Sequence, residues 1–305
     1  MKTITVVSGK GGTGKTSLTA ALAALGNPVV LADCDVDAAN LHLAVPHEKR
    51  KTNPFHGEKV ARFLPDQCIR CGICLDVCRF EALSGLEVQR NPADDFLVID
   101  PLMCEGCGVC AHVCPVDAIE MTEKQSGEWF LSDTGYGPMV HAKLGIGAEN
   151  SGRLVTIVRN FANGIAQSGK GEFVIVDGSP GVGCPVISSL TGADFAVAVT
   201  EPTQSGRHDL ERIRDLTAHF AIPTGVVINK WDLNLAMSEE IERWIDRSPM
   251  EMLGRIPYDP AFVQAQLDGR PVVEGSDNGL KDTIAGIWRR ILQALQKDGS
   301  SVPVE

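Results

Sequence analysis

Hydrophobic positions along this 305-residue chain gather into short runs. Residues 3–7 (TITVV), 28–33 (PVVLAD), 173–177 (FVIVD), 195–200 (FAVAVT) and 225–229 (GVVIN) are apolar, β-branched stretches, most ending at a polar residue or turn. Such runs, with helical patterns between them, predict strands of a mostly parallel sheet flanked by helices, an α/β fold. Sheets of this kind hold ligands at the carboxyl ends of their strands. Asp33, Asp177, Thr200 and Asn229 fall there. Farther on, Leu280, Ile284, Ile287, Trp288, Ile291, Leu292 and Leu295 form one helical stripe, which predicts a last helix packed on the sheet. A helix lying on a membrane surface, with Arg289, Arg290 and Lys297 on its polar side, is the alternative.

The long interval between the second and third runs interrupts the α/β pattern. Its segments HGEKVARFLPDQC and EKQSGEWFLSDTGYGP read as turn-rich flanks of an inserted module at 58–135. The α/β domain then occupies 1–57 and 136–305, resuming with a helix near Gly152 to Gln167. Just before that helix, GIGAENSGRL (145–154) is polar and glycine-rich enough to contact a moving loop.

Eight of the ten cysteines lie in the interval, in CIRCGICLDVC (Cys68 to Cys78) and CEGCGVCAHVC (Cys104 to Cys114). Each run has the C-x2-C-x2-C-x3-C spacing of bacterial ferredoxins, in which the fourth cysteine ligates the other cluster. One [4Fe-4S] set is therefore Cys68, Cys71, Cys74 and Cys114, and the second is Cys104, Cys107, Cys110 and Cys78. Zinc sites prefer two separated pairs, so the third close cysteine favours a cube. The runs are an internal repeat, Gly72 matching Gly108 and Ala82 matching Ala118, but Arg79 stands where the second run has Pro115. This predicts an α+β module of bacterial ferredoxin type.

A net charge of −11 argues against a general electrostatic hold on nucleic acid or anionic lipid. The start MKTITVVSGK lacks signal-peptide features, and no apolar run approaches the roughly 18 residues of a membrane span. The expectation is a cytoplasmic protein whose thiols stay reduced and whose cysteines serve metal. Cys34 reads as a buried small side chain.

The loop SGKGGTGKTS fits two patterns. Gly9, Gly11 and Gly14 spell a dinucleotide-binding turn, and Asp33 ends the next strand where a ribose-binding acid belongs. Gly9, Gly14, Lys15 and Thr16 spell a P-loop, completed by Lys10, Gly11, Gly12, Thr13 and Ser17. Lys15 suits the β and γ phosphates of a nucleotide, and Thr16 suits magnesium. FVIVDGSPG supplies Asp177, the acid a P-loop enzyme uses to hold magnesium, followed by a Gly/Pro turn able to move, which decides for the P-loop. VVINKWDL contains a literal N-K-x-D, Asn229 to Asp232, whose aspartate would select guanine.

GKGGTGKTS, with Lys10 inside the loop, resembles the deviant Walker A motif of the MinD, ParA, Mrp and nitrogenase iron-protein superfamily. DCDVDAANL (Asp33 to Leu41) is similar to its switch I, and DGSPGVGCP (Asp177 to Pro185) to its switch II. With its cysteine module the chain resembles MinD-superfamily ATPases carrying an inserted ferredoxin domain. The resemblance implies a nucleotide-dependent homodimer, in which Lys10 reaches the partner's phosphates, Asp35 positions the attacking water, and Asp177 holds magnesium through water. It also implies adenine contact by Asn229, with Pro257 and Asp259 beside the base, favouring ATP and leaving GTP open. Cys184 occupies the switch II position where the nitrogenase iron protein holds a bridging cluster, but no clear second ligand lies outside the cysteine module, so a packed or incidental thiol is favoured. His208 and Asp209 read as the start of a helix with a solvated face.

Three functions follow from this resemblance. They are nucleotide-gated electron transfer to a redox partner, carriage of clusters to an acceptor as in Mrp-type proteins, and MinD-like positioning with clusters as sensors.

Overall fold

A computed structural model describes residues 1–85, 96–145, 148, 151–275 and 279–298. Residues 146, 147, 149 and 150 of the glycine-rich segment lie outside the described residues, as does the side chain of Lys297.

The chain opens with β1 (Lys2–Ser8), α1 (Lys15–Gly26), β2 (Val29–Asp33), α2 (Leu41–Ala44) and β3 (His47–Phe63). The cysteine segment carries α3 (Ile73–Val77), β4 (Leu83–Gly85), β5 (Leu97–Ile99) and α4 (Val109–His112). A hairpin of β6 (Ile119–Thr134) and β7 (Gly137–Leu144) leads to α5 (Ser151–Ile165), β8 (Phe173–Pro180) and α6 (Cys184–Leu190). Then come β9 (Phe195–Thr200), α7 (Gln204–His219), β10 (Thr224–Asn229), α8 (Leu235–Ile245), β11 (Glu251–Ile256), α9 (Ala261–Leu267) and α10 (Leu280–Asp298).

Among the described residues nine strands join one sheet in the order β11-β10-β9-β1-β8-β2-β7-β6-β3, and its pairs from β11 to β7 are parallel. Alternate residues of the central strands feed opposite faces, as the pleat requires. Ile4, Val6, Val197, Val199 and Val227 pack with α1 and α10. Val7, Ala196, Ala198, Val226 and Ile228 pack with α6, α7 and α8. The five runs read from sequence are all strands, and burial on both faces explains why each is continuously apolar.

The flanks of the cysteine segment differ from the sequence reading. HGEKVARFLPDQC and EKQSGEWFLSDTGYGP lie mostly in the long strands β3 and β6, and the parallel sheet resumes with β7 before any helix. Only Phe55 and Ala61 are buried along all of β3. A strand held by backbone pairing, with so little apolar burial, leaves no alternation to read. The chain divides into two compact units, Met1–Asn53 with Trp129–Lys143 and Ser151–Glu305, and Pro54–Glu128 with Leu144–Asn150. The smaller unit thus departs from 58–135 at both ends, and β3 and β6 contain residues of both units. Within it, α3 and α4 sit in the two cysteine runs and β4 pairs antiparallel with β5.

The apolar stripe of α10 lies in the core. Leu280, Ile284, Ile287, Trp288, Ile291 and Leu295 are buried, and Gly26 leaves room for the Trp288 ring, which a Cβ there would meet at 2.7 Å. Among the described residues no helix is long and apolar enough to cross a membrane. Ile284→Ala should therefore cost about 2–5 kcal/mol in urea unfolding, whereas Arg289→Ala on the exposed side should stay within about 0.5 kcal/mol. Equal small losses would contradict the core role of the stripe.

Candidate functional site

The P-loop leaves the carboxyl end of β1 and returns as α1. Gly12 and Gly14 take left-handed backbone angles (φ 81 and 86), and a Cβ on Gly14 would stand 2.4 Å from the Asn229 amide. Glycine is needed there for both reasons. Gly9 packs against Asp209, whose Cβ would be 2.1 Å from an added side chain. The loop borders a cavity of about 530 Å³, inside the range of roughly 300–1,000 Å³ usual for ligand sites. Gly11 to Ser17, Asp35, Asn229, Pro257 and Asp259 line it; Gly9, Lys10, Asp177 and Asp232 do not.

Asp177 organises the floor. Its carboxylate is fully buried and accepts Lys15 Nζ at 2.7 Å and Thr19 Oγ1 at 3.1 Å on Oδ1, and Thr16 Oγ1 at 2.7 Å on Oδ2. Lys15 Nζ also lies 3.7 Å from Asp35 Oδ2. Burial opposes the Lys15 charge, but Asp177, then Asp35 and Asp33, more than offset it and raise its pKa. Asp35 is pushed upward by burial first, with Asp177 and Asp37 adding and Lys15 opposing.

Asp33 is fully buried in register with Asp177 and accepts the N–H groups of Asp35 (3.1 Å) and Leu41 (3.0 Å), holding the segment between them. Burial, and then the charge of Asp177, push its pKa up to about 8. With Asp33 protonated, Asp177 and Asp35 still set two carboxylates against one buried lysine, so the site is short of positive charge. A magnesium ion fits it: the Thr16 hydroxyl and Asp177 already meet, and the buried Thr13 Oγ1 at the cavity wall has no hydrogen-bond partner.

At the far side, Asn229 donates through Nδ2 to the Thr13 carbonyl (2.7 Å) and accepts from the Lys230 N–H (3.0 Å), so its amide braces the P-loop. Asp232 accepts from the Tyr258 N–H at 2.7 Å and fixes the Pro257–Asp259 turn. Asp259 accepts from the Ala261 N–H at 2.8 Å, opening α9. Lys10 leans away from the cavity toward Ser205 Oγ (3.4 Å) and Glu201 Oε2 (3.4 Å). Sequence reading missed Lys230, Tyr258, Phe262 and Gln266 on the cavity wall. Only Lys230, inside NKWD, carried a local signal. α7 starts at Gln204, capped by Thr203 Oγ1, so His208 and Asp209 lie within the helix and do not begin it. Cys34 is buried, and Cys184 is exposed at the start of α6.

In the smaller unit the thiols sort into two groups. Cys68, Cys71, Cys74 and Cys114 line one hollow with Phe63, Leu97 and Ile119. Cys78, Cys104, Cys107 and Cys110 line another with Ala61, Leu83 and Met121. The backbone repeats along with the sequence. Left-handed residues recur in matching places, Arg70 with Gly106, Gly72 with Gly108, and Glu81 with Asp117. Such turns aim N–H groups at sulfur: Arg70 N reaches Cys68 Sγ at 3.3 Å and Ala118 N reaches Cys114 Sγ at 3.2 Å. All ten cysteines are unpaired, and among the described residues no three His, Cys, Asp or Glu side chains are placed to hold one metal ion.

Fold and site define a P-loop nucleotide-binding protein. Residues 4–272 match the CobQ/CobB/MinD/ParA nucleotide binding domain, and the chain belongs to that family of P-loop ATPases. An uncharacterized protein of Methanocaldococcus jannaschii is 37% identical over 234 residues, covering 76% of this chain and 79% of its own. The septum site-determining protein MinD of Bacillus subtilis is 24% identical over 311 residues, covering 99% and 91%. The structure of MinD complexed with Mg-ADP from Pyrococcus horikoshii shares the fold, with a TM-score of 0.54, 18% identity and 99% of each chain covered.

A raised carboxyl pKa has a definite sign in stability. The native state keeps the Asp33 proton that the unfolded chain loses near pH 4, so this contribution is full below that pH and is lost as pH rises through about 8. The unfolding free energy of the nucleotide-free protein, measured by urea titration, should fall between pH 5 and pH 8, by up to about 1.4 kcal/mol per pH unit from this group. Asp33→Asn should flatten that slope, and an unchanged slope would refute the assignment.

Proposed function

We propose that this chain is a homodimeric ATPase that couples Mg-ATP binding and hydrolysis to electron transfer through two [4Fe-4S] clusters, or to docking of the redox protein that exchanges those electrons. One observation carries the reading: eight thiols border two hollows in the interleaved fours that the spacing requires, in the same chain as a P-loop cavity. A single zinc ion needs its ligands within about 2.3 Å of one point, whereas each sulfur of a cube set binds its own iron. Left-handed turns that point N–H groups inward suit an anionic cluster. Bound there, the clusters would supply one-electron storage.

In the nucleotide site, the phosphates would draw Lys15 from Asp177 and leave Asp177 and Thr16 facing a magnesium ion. Asp35, which lines the cavity, would orient the attacking water. Lys10 would leave Ser205 for the partner's phosphates, adding positive charge where the transition state spreads negative charge. Asn229, Pro257 and Asp259 border the space for the base. Asp232 already accepts the Tyr258 N–H, which supports adenine over guanine. Residues 33–41 continue through α2 into β3, whose Phe63 borders the first hollow, so nucleotide-dependent movement has a covalent route to the thiols. Reduced thiols suit a cytoplasmic setting. Exposure of Cys71 and Cys107 favours a second reading, transfer of clusters to an acceptor protein.

Anaerobically reconstituted protein should hold about eight irons per chain, and Cys114→Ser should lose about half of them. An EPR redox titration should show a potential shift of about 60 mV on adding Mg-ATP, absent in Lys15→Ala. Release of iron and sulfide to an apo-acceptor with unshifted potentials would favour carriage instead. Asp35→Asn should lower kcat at least about tenfold with little change in nucleotide affinity; a parallel loss of affinity would contradict its role toward water.

A further inference from the structure

The outer lip of the P-loop is tied down by a residue that no motif marks. Glu201 follows β9, and its side chain is only 15% exposed. Its two carboxylate oxygens take two lysines: Oε1 accepts Lys230 Nζ at 2.5 Å and Oε2 lies 3.4 Å from Lys10 Nζ. Lys230 Nζ also donates to the Gly12 carbonyl at 3.3 Å, and Lys10 Nζ to Ser205 Oγ at 3.4 Å. Lys230 lines the cavity; Lys10 does not. One carboxylate therefore clamps both lips of the loop, Lys10 and, through Lys230, Gly12.

We propose that Glu201 is a positioning residue that competes with the phosphates of a bound nucleotide for Lys230, while retaining Lys10, and so sets the affinity of the loop for nucleotide. The inference rests on the nucleotide reading of the cavity. An anionic phosphate chain that draws Lys230 off Glu201 leaves that carboxylate with Lys10 as its remaining ion-pair partner. Drawing off both lysines would leave a largely buried carboxylate without a counter-charge, a costly state. Glu201 therefore favours release of one lysine at a time. Phosphate contact by Lys230 holds Lys10 back, and Lys10 departs only where a second source of negative charge, such as the phosphates of another copy, outbids the carboxylate.

The test is titration of the full-length protein with a fluorescent Mg-ATP analogue, at low and high KCl, comparing wild type, Glu201→Gln, Lys230→Ala and the double variant. The Gln side chain keeps the shape and removes the charge, and thermal melting checks that each variant folds. Glu201→Gln should bind about two- to fivefold tighter, the range of a partly exposed ion pair. The gain should shrink at high salt and vanish in the Lys230→Ala background. A gain that persists without Lys230, or unchanged or weaker binding by Glu201→Gln beside a wild type that binds, would overturn the role of Glu201 and leave the nucleotide site standing. No binding by wild type would remove the nucleotide reading itself, and this inference with it.

Discussion

The buried contact between Lys15 and Asp177 is the interaction on which the larger unit turns. At 2.7 Å and out of water, it joins the first residue of α1 to β8, and the same carboxylate gathers Thr16 and Thr19. The Asp177 carbonyl also accepts the Cys34 N–H at 2.8 Å, so the ends of β2, β8 and the P-loop meet at one residue. A buried pair of this kind adds little net stability, because desolvating two charges consumes most of the attraction. Its significance is exchangeability. A lysine held by a carboxylate is ready for phosphate, and a carboxylate relieved of its lysine is ready for a cation.

Charge balance extends that logic outward. Asp33 sits in register beside Asp177, and burial together with its neighbour's charge keeps it protonated toward neutral pH. Through two backbone N–H groups it also shapes the segment that runs from Asp35 to Leu41. At the other lip, Glu201 holds Lys10 and Lys230. The lysines of the proposed nucleotide site are thus each paired with an acid, and phosphate binding there would be an exchange of partners. That arrangement suits a protein whose loop must respond to the ligand it holds.

The smaller unit follows another rule, duplication of a backbone. Its two cysteine runs repeat their left-handed residues position for position, although Arg70 stands opposite Gly106 and Glu81 opposite Asp117. Backbone geometry is therefore more regular than side-chain identity in this unit. Where Arg79 replaces the proline of the second run, the side chain is exposed while Pro115 borders the first hollow. The asymmetry leaves both sets of four thiols in place.

Features that depend on local pattern were legible in the order of the residues. Five strands were readable because burial on both faces demands unbroken apolar runs, and the P-loop because its glycines and Lys15 are contiguous. The spacing of the cysteines anticipates the two groups of thiols that line separate hollows. Tertiary structure decided what depends on partners distant in the chain. β3 and β6 became strands by pairing with each other and not by hydrophobic alternation, so charged residues hid them. Glu201 and Lys230 meet the P-loop, and Tyr258 lines the same cavity, because β9, β10 and β11 deliver their carboxyl ends to one edge of the sheet. Apart from the N-K-x-D around Lys230, a side chain whose role is set by a neighbour some two hundred residues away leaves no local trace, since periodicity and spacing report only what lies within a few turns of the chain.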